Sequence, residues 1–251
     1  MTLRYSTGCV GLYSPCGVGP DLPYSTLSGA HFRFWYSLAG FQLVSRWENG
    51  DVWGSDFRER SDGDADPNGG SDVPDVYFYN GHGSCENPPT GTSGDFIITC
   101  GNFGKPDTTR IGTDSRWGSE ERGGNLKFAF IDASCPMDLV EISNSWFSTF
   151  EGLHMAVGHS GDVNHDTLNS PSRGGVFAAY TTGGFFLFPQ LSVGDAWMTA
   201  GTIDIQSGCC AVALAAGNDR NDAIDRRENE RITDNRPDPI PNWFAWKWLC
   251  N

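Results

Sequence analysis

Lysine is scarce in this chain. Of 17 basic residues only Lys105, Lys127 and Lys247 are lysine, against 31 acidic residues, and the formal net charge is -14. A surface so short of cations repels phosphate, so nucleic acid is not an expected partner. No apolar run approaches the ~20 residues that a bilayer span requires, and no membrane span is expected. The opening residues, Met1-Thr2-Leu3-Arg4-Tyr5-Ser6, lack the apolar stretch of a secretory signal. The chain therefore reads as soluble, cytoplasmic by default, with secretion as the alternative. Also missing is any Cys-x-x-Cys pair, which removes the zinc-ribbon and dithiol-redox readings.

What is present suits one large domain with decorations. The 251 residues are 38% hydrophobic and 13% aromatic, enough for a sizeable core. The even count of eight cysteines invites disulfides, but a core of this size does not need them. The short spacing makes Cys9–Cys16 the expected local bridge.

Residues 1–28 are rich in Gly, Pro and Ser and read as an irregular arm. Residues 29–217 carry the periodic patterns of a folded α/β domain. Residues 218–251 read as an exposed charged loop followed by an aromatic tail, Trp243 to Leu249, that docks on the body. Within the domain, Gly29 to Val44 is a helix or a strand packed on the core. Five apolar runs bounded by Gly and polar residues read as buried strands: 76–79, 96–100, 126–131, 153–157 and 210–215. Helices are expected over Asp138–Phe150, from the spacing of Leu139, Ile142, Trp146, Phe147 and Phe150, and over Ser192–Ile203, with Ser192 as N-cap. Strands alternating with helices imply a mainly parallel sheet covered on both faces. Functional residues in such sheets gather past the carboxyl ends of the strands.

Two of those ends carry chemistry. The run Val76-Tyr77-Phe78-Tyr79 leads into Asn80-Gly81-His82-Gly83, and the run over 126–131 leads into Asp132-Ala133-Ser134-Cys135. A cysteine attacks as a thiolate, and an adjacent imidazole makes that thiolate available near neutral pH. His82 is the expected general base and Cys135 the expected nucleophile. The backbone N–H groups of Gly83 and Cys135 are the expected oxyanion hole. Alone, Cys135 would read as an inert buried cysteine and His82 as a turn residue; the pairing after matched strands favours catalysis.

An apolar block ending in His-Gly followed by an apolar block ending in Cys resembles the caspase-like (clan CD) cysteine peptidases, among them caspases, legumains, gingipains and separases. The wider stretch, with AGFQLVSRWENGDVWGSDF, FEGLHMAVGH and VGDAWMTA, is similar over roughly residues 25–215 to a bacterial family of caspase-like domains known as DUF6345. The resemblance implies a caspase-like (caspase-hemoglobinase) three-layer fold, with a peptide or protein as substrate and no cofactor required. In those peptidases the loops after the nucleophile strand and the next strand hold the substrate residue before the cut. The matching positions are His159, Ser160, Gly161, Asp162 and Asp166, with Trp197 further on; an Asp there would favour Arg or Lys. The caspase-type pentapeptide around the cysteine is not seen.

Two weaker sites compete. His154, His159 and His165, with Asp162 and Asp166 among them, could form a transition-metal site, though H-x4-H-x5-H matches no standard motif. Asp62, Asp64 and Asp66 alternate like calcium ligands, but Pro67 stands where an EF-hand needs glycine and Val73 where it needs glutamate. A solvated acidic loop is the default there. The leading expectation is a cysteine endopeptidase; the alternative is a caspase-like pseudo-enzyme acting as a binding or assembly protein.

Overall fold

The computed structural model describes residues 2–58, 70–84, 96–101, 107–139, 142–164, 172–203 and 205–251. Its centre is a seven-stranded sheet in the order β2-β1-β3-β7-β8-β9-β10. The strands are β1 (Arg4–Cys9), β2 (Gln42–Glu48), β3 (Val76–Asn80), β7 (Phe128–Asp132), β8 (Met155–Ser160), β9 (Cys210–Gly217) and β10 (Trp243–Cys250). The five strands from β2 to β8 run parallel; β9 is antiparallel to both β8 and β10. A second, antiparallel sheet of β4 (Gly83–Ser84), β5 (Phe96–Thr99) and β6 (Asp107–Arg110) follows β3. The helices are α1 (Ser25–Leu38), α2 (Ile111–Asp114), α3 (Ile142–Ser145), α4 (Arg173–Thr182), α5 (Val193–Ala200) and α6 (Arg220–Asn229). The chain is therefore α/β, with a mainly parallel mixed sheet flanked by helices.

Period-two alternation splits the core into two layers. Val76, Phe78, Phe128, Phe130, Met155 and Val157 face α1, α4 and α5, where Phe32, Tyr36, Phe177 and Trp197 fill the space. Tyr77, Tyr79, Ala129, Ile131, Val212 and Leu214 face the other way, onto Tyr13, Ile97, Trp117, Leu126 and Trp146. Helices α1 and α4 meet closely because Gly174 has no side chain: a Cβ there would crowd Phe78 and the Ser28 hydroxyl. Ser172 caps α4 by accepting from the Gly175 N–H, and Ser192 caps α5 by accepting from the Asp195 N–H.

Several expectations change. The supposed arm contains β1, which lies inside the sheet between β2 and β3. Its sequence, RYSTGC, hides the strand because its buried polar groups are satisfied by tertiary partners: Ser6 by Ser45 and Thr7 by Arg33. Gly29–Val44 divides between the end of α1 and the start of β2. The run over 96–100 belongs to the small sheet. In the Asp138–Phe150 stretch the described helical pieces are short, α3 and a 3-10 turn over Phe147–Thr149. The charged loop contains α6, and the aromatic tail is the edge strand β10, stapled to β9 by the Cys210–Cys250 disulfide. The Cys9–Cys16 bridge does not form: Cys16 pairs with Cys100, while Cys9 is free and buried on β1.

Edge strand β10 is also held along its outer side. Asn251 N–H donates to the Cys209 carbonyl, so in this antiparallel register the odd-numbered residues of β10 face β9 and Trp246 turns its carbonyl outward. The Arg227 guanidinium of α6 donates to that carbonyl at 3.1 Å. Lys247 is paired with Asp195 and Glu228.

Candidate active site at the carboxyl ends of β3 and β7

Neighbouring parallel strands bring the two candidate chemical groups to one edge of the sheet. Asn80 of β3 is in register with Asp132 of β7, and Gly81 N–H donates to the Asp132 carbonyl at 3.2 Å. His82 lies two residues past that register and Cys135 three. A Cβ at Gly81 would collide with the hydroxyls of Tyr79 and Tyr13, so glycine is what lets the chain turn there.

His82 is partly exposed and already engaged. Its Nε2 lies 2.8 Å from the Pro20 carbonyl, which requires the Nε2–H tautomer. Its ring packs on Tyr13 at a centroid distance of 4.4 Å, and its backbone N–H donates to the Tyr13 hydroxyl. The segment from Tyr13 to Pro20 thus covers the imidazole. The Cys16–Cys100 disulfide ties this segment down beside β5.

Cys135 is 4% exposed and sits at φ 56°, a left-handed conformation that non-glycine residues seldom adopt. Its sulfur is in a disulfide, so the residue is not a thiolate in this state. Its backbone N–H donates to the Gly161 carbonyl at 3.0 Å. That bond takes away one of the two expected oxyanion donors. The other, Gly83, stands in β4, in register with Ile97.

The expected substrate contacts separate. His159 and Trp197 are wholly buried, and the Trp197 indole N–H donates to the Gly158 carbonyl at 2.8 Å; both belong to the core beneath the site. Their apolar neighbours on α4 and α5 explain the burial, which a reading of strand ends could not include. Ser160 is partly exposed and accepts from the Leu139 N–H at 3.3 Å. Asp162 is exposed on the same rim.

Below the rim lies a polar layer that sequence reasoning missed. Asp132 Oδ2 accepts from the Asn80 amide at 2.5 Å, and Asp132 Oδ1 accepts from Arg173 Nε at 2.8 Å. Arg173 also donates to the carbonyls of Asn164 and Ile203. His159 Nε2 lies 3.3 Å from Asp132 Oδ1, yet neither ring nitrogen has a hydrogen bond of good geometry among the described residues. Burial lowers the His159 pKa, with the positive charge of Arg173 acting in the same direction and Asp132 opposing it. Asn80, Asp132 and His159 thus form a row across three strand ends, pinned by the first residue of α4. The only sequence signal was Asp132, a carboxylate at the end of an apolar run.

Two of the expected metal ligands, His154 and His159, are not brought together. His154 lies between Glu230 at 2.6 Å and Asp238 at 2.9 Å, apart from the Asp132 partner of His159. Among the described residues no group of three His, Cys, Asp or Glu could hold a metal ion. His165, Asp166 and the calcium candidates Asp62, Asp64 and Asp66 lie outside the described residues.

The domain of unknown function DUF6345 matches residues 16–248. The chain belongs to the DUF6345 family. No curated protein and no solved structure matches it. The DUF6345 match begins ahead of α1 and reaches into β10, so it takes in the strands of the seven-stranded sheet other than β1, together with both candidate residues. Among the described residues no helix is long and apolar enough to cross a membrane.

Proposed function

We propose that this DUF6345 chain is a thiol hydrolase of the caspase-like type, acting on peptide bonds and latent while Cys135 is oxidised. The observation that supports the reading is the adjacency of β3 and β7, whose paired ends at Asn80 and Asp132 lead to an imidazole and a sulfur 53 residues apart in the chain. In the reduced state Cys135 supplies the thiolate and His82 accepts its proton. The sulfur adds to the substrate carbonyl, the C–N bond breaks, and His82 protonates the departing amine. Water then cleaves the thioester and restores the thiol. Asp162 on the rim favours Arg or Lys before the cut. No cofactor enters this chemistry.

A second reading rests on a specific observation. Cys135 disulfide-bonded and His82 Nε2 held by Pro20 is also what a caspase-like pseudo-enzyme, kept for binding or assembly, would have. One experiment separates the two. The protein is reduced with a phosphine, then labelled with iodoacetamide near pH 7 and mapped. In parallel it is assayed on fluorogenic substrates ending in Arg, Lys or Asp, beside Cys135→Ala and His82→Ala. Cleavage that appears on reduction and vanishes in both variants supports the hydrolase. Labelling of Cys135 without cleavage of any substrate supports the pseudo-enzyme.

A further inference from the structure

We propose that the face built from α1, α4 and the segment from Gly183 to Pro189 is where a second copy of this chain docks.

Charge is the first observation. No acidic residue occurs between Asp21 and Glu48, or between Asp166 and Asp195, although the chain has 31 of them. The first stretch contains α1 and the second contains α4, and the two helices pack side by side, with a Cβ at Gly174 or Gly175 running into Ser28 or His31. Folding therefore joins the acid-free stretches into one face. Charge depletion with aromatic enrichment marks the centre of protein interfaces.

Apolar exposure is the second. Leu27, His31, Phe34 and Leu38 follow the spacing i, i+4, i+7, i+11 along the outside of α1, and all are exposed. That is the seam spacing of paired helices. The inner face of the same helix is already used by Phe32 and Tyr36 in the core. Beside the seam, Phe186 is 97% and Leu187 76% exposed, with Phe186 at φ 70°. Next to them lies a cavity of about 480 Å³ lined by His31, Phe34, Trp35, Val176, Tyr180 and Phe188, among others. The face thus holds both an apolar knob and an apolar socket.

These features point to a copy of the same chain as occupant. The seam is symmetric about its own middle: in an antiparallel α1 pair, Leu27 meets Leu38 and His31 meets Phe34 of the other copy, and each contact occurs twice. With Phe and Leu side chains of ordinary size, the exposed residues supply roughly 600 Å² per copy, or about 1,200 Å² for the pair, at the lower end of stable interfaces. Two chains of charge -14 repel, and contact through an acid-free face avoids opposed carboxylates. The same charge works against an anionic bilayer as occupant.

The test is sedimentation velocity of the oxidised full chain from 1 to 100 µM, at low and high salt, on wild type, Phe34→Glu and Leu187→Asp. Both sites are exposed, and thermal unfolding checks that each variant folds. The expected result is a wild-type dimer that tightens as salt rises, weakened at least ~100-fold by either substitution, because each residue is met twice. A wild type that stays monomeric at 100 µM overturns the proposal. So does a dimer indifferent to both variants, or one that dissociates with salt. Flotation of a monomeric wild type with neutral phosphatidylcholine vesicles, lost in Phe34→Glu, would assign the face to a bilayer and equally overturn it.

Discussion

Replacing Asp132 by Asn tests whether the polar layer holds the strand ends together. The substitution keeps the shape and a partner for Asn80 but removes the charge 2.8 Å from the Arg173 Nε. Arg173 is 5% exposed and cannot turn to water, and among the described residues it keeps the carbonyls of Asn164 and Ile203. Stranding one member of a buried ion pair costs ~3–5 kcal/mol; the surviving carbonyl bonds put this case near the lower end, at about 3 kcal/mol. In a domain of this size that lowers the melting temperature by roughly 6–12 °C. Urea unfolding of the oxidised protein at pH 7 measures it directly. Arg173→Met should cost about as much. The double variant should cost less than the two together by ~1 kcal/mol or more, since the pair acts as a unit. If Asp132→Asn stays within ~1 kcal/mol of wild type with an unchanged urea slope, the charge does not organise this region and the reasoning fails.

His159 has a folded pKa below its ordinary value, so its contribution is complete above the unfolded value of about 6.5 and is lost as pH falls below it, where only the unfolded chain gains the proton; His159→Gln should flatten the stability curve in that window. Cys9 and Cys209 are buried, with thiols pushed up to about 12 and about 11, so peptide mapping should find both unlabelled by iodoacetamide at pH 7.5 until the protein is unfolded. Gly112→Ala would drive a Cβ onto the Ser145 carbonyl, and expression as aggregate or a melting point lowered by more than ~6 °C is expected.

The parts of the fold legible in the sequence were those whose pattern is local. The apolar runs over 76–79, 126–131 and 153–157 fall on β3, β7 and β8, because strands buried on both faces read as continuous apolar blocks. Ser192 announced α5 by its own cap. β1 was illegible because its serine and threonine are buried by partners 26 and 39 residues away. α6 looked like a loop because it is richly charged, and its buried Arg226 is satisfied by a partner far off in the chain, His154. At the site, the sequence pointed to both strand ends. What it did not carry was the state of the sulfur, the Pro20 carbonyl on His82, or the Gly161 carbonyl on the Cys135 N–H. Each of those depends on a loop contact that leaves no periodic trace.

The arginine seated on the Trp246 carbonyl has an effect beyond anchoring a helix. A strand with open backbone groups on its rim invites other polypeptides to extend the sheet without limit. Here a guanidinium occupies one of those outward carbonyls, and β2 at the far rim carries the charged pair Arg46 and Glu48. Ribbon-like growth is blunted at both ends, which leaves side-on contact between helices as the route by which copies can meet in a closed, countable assembly.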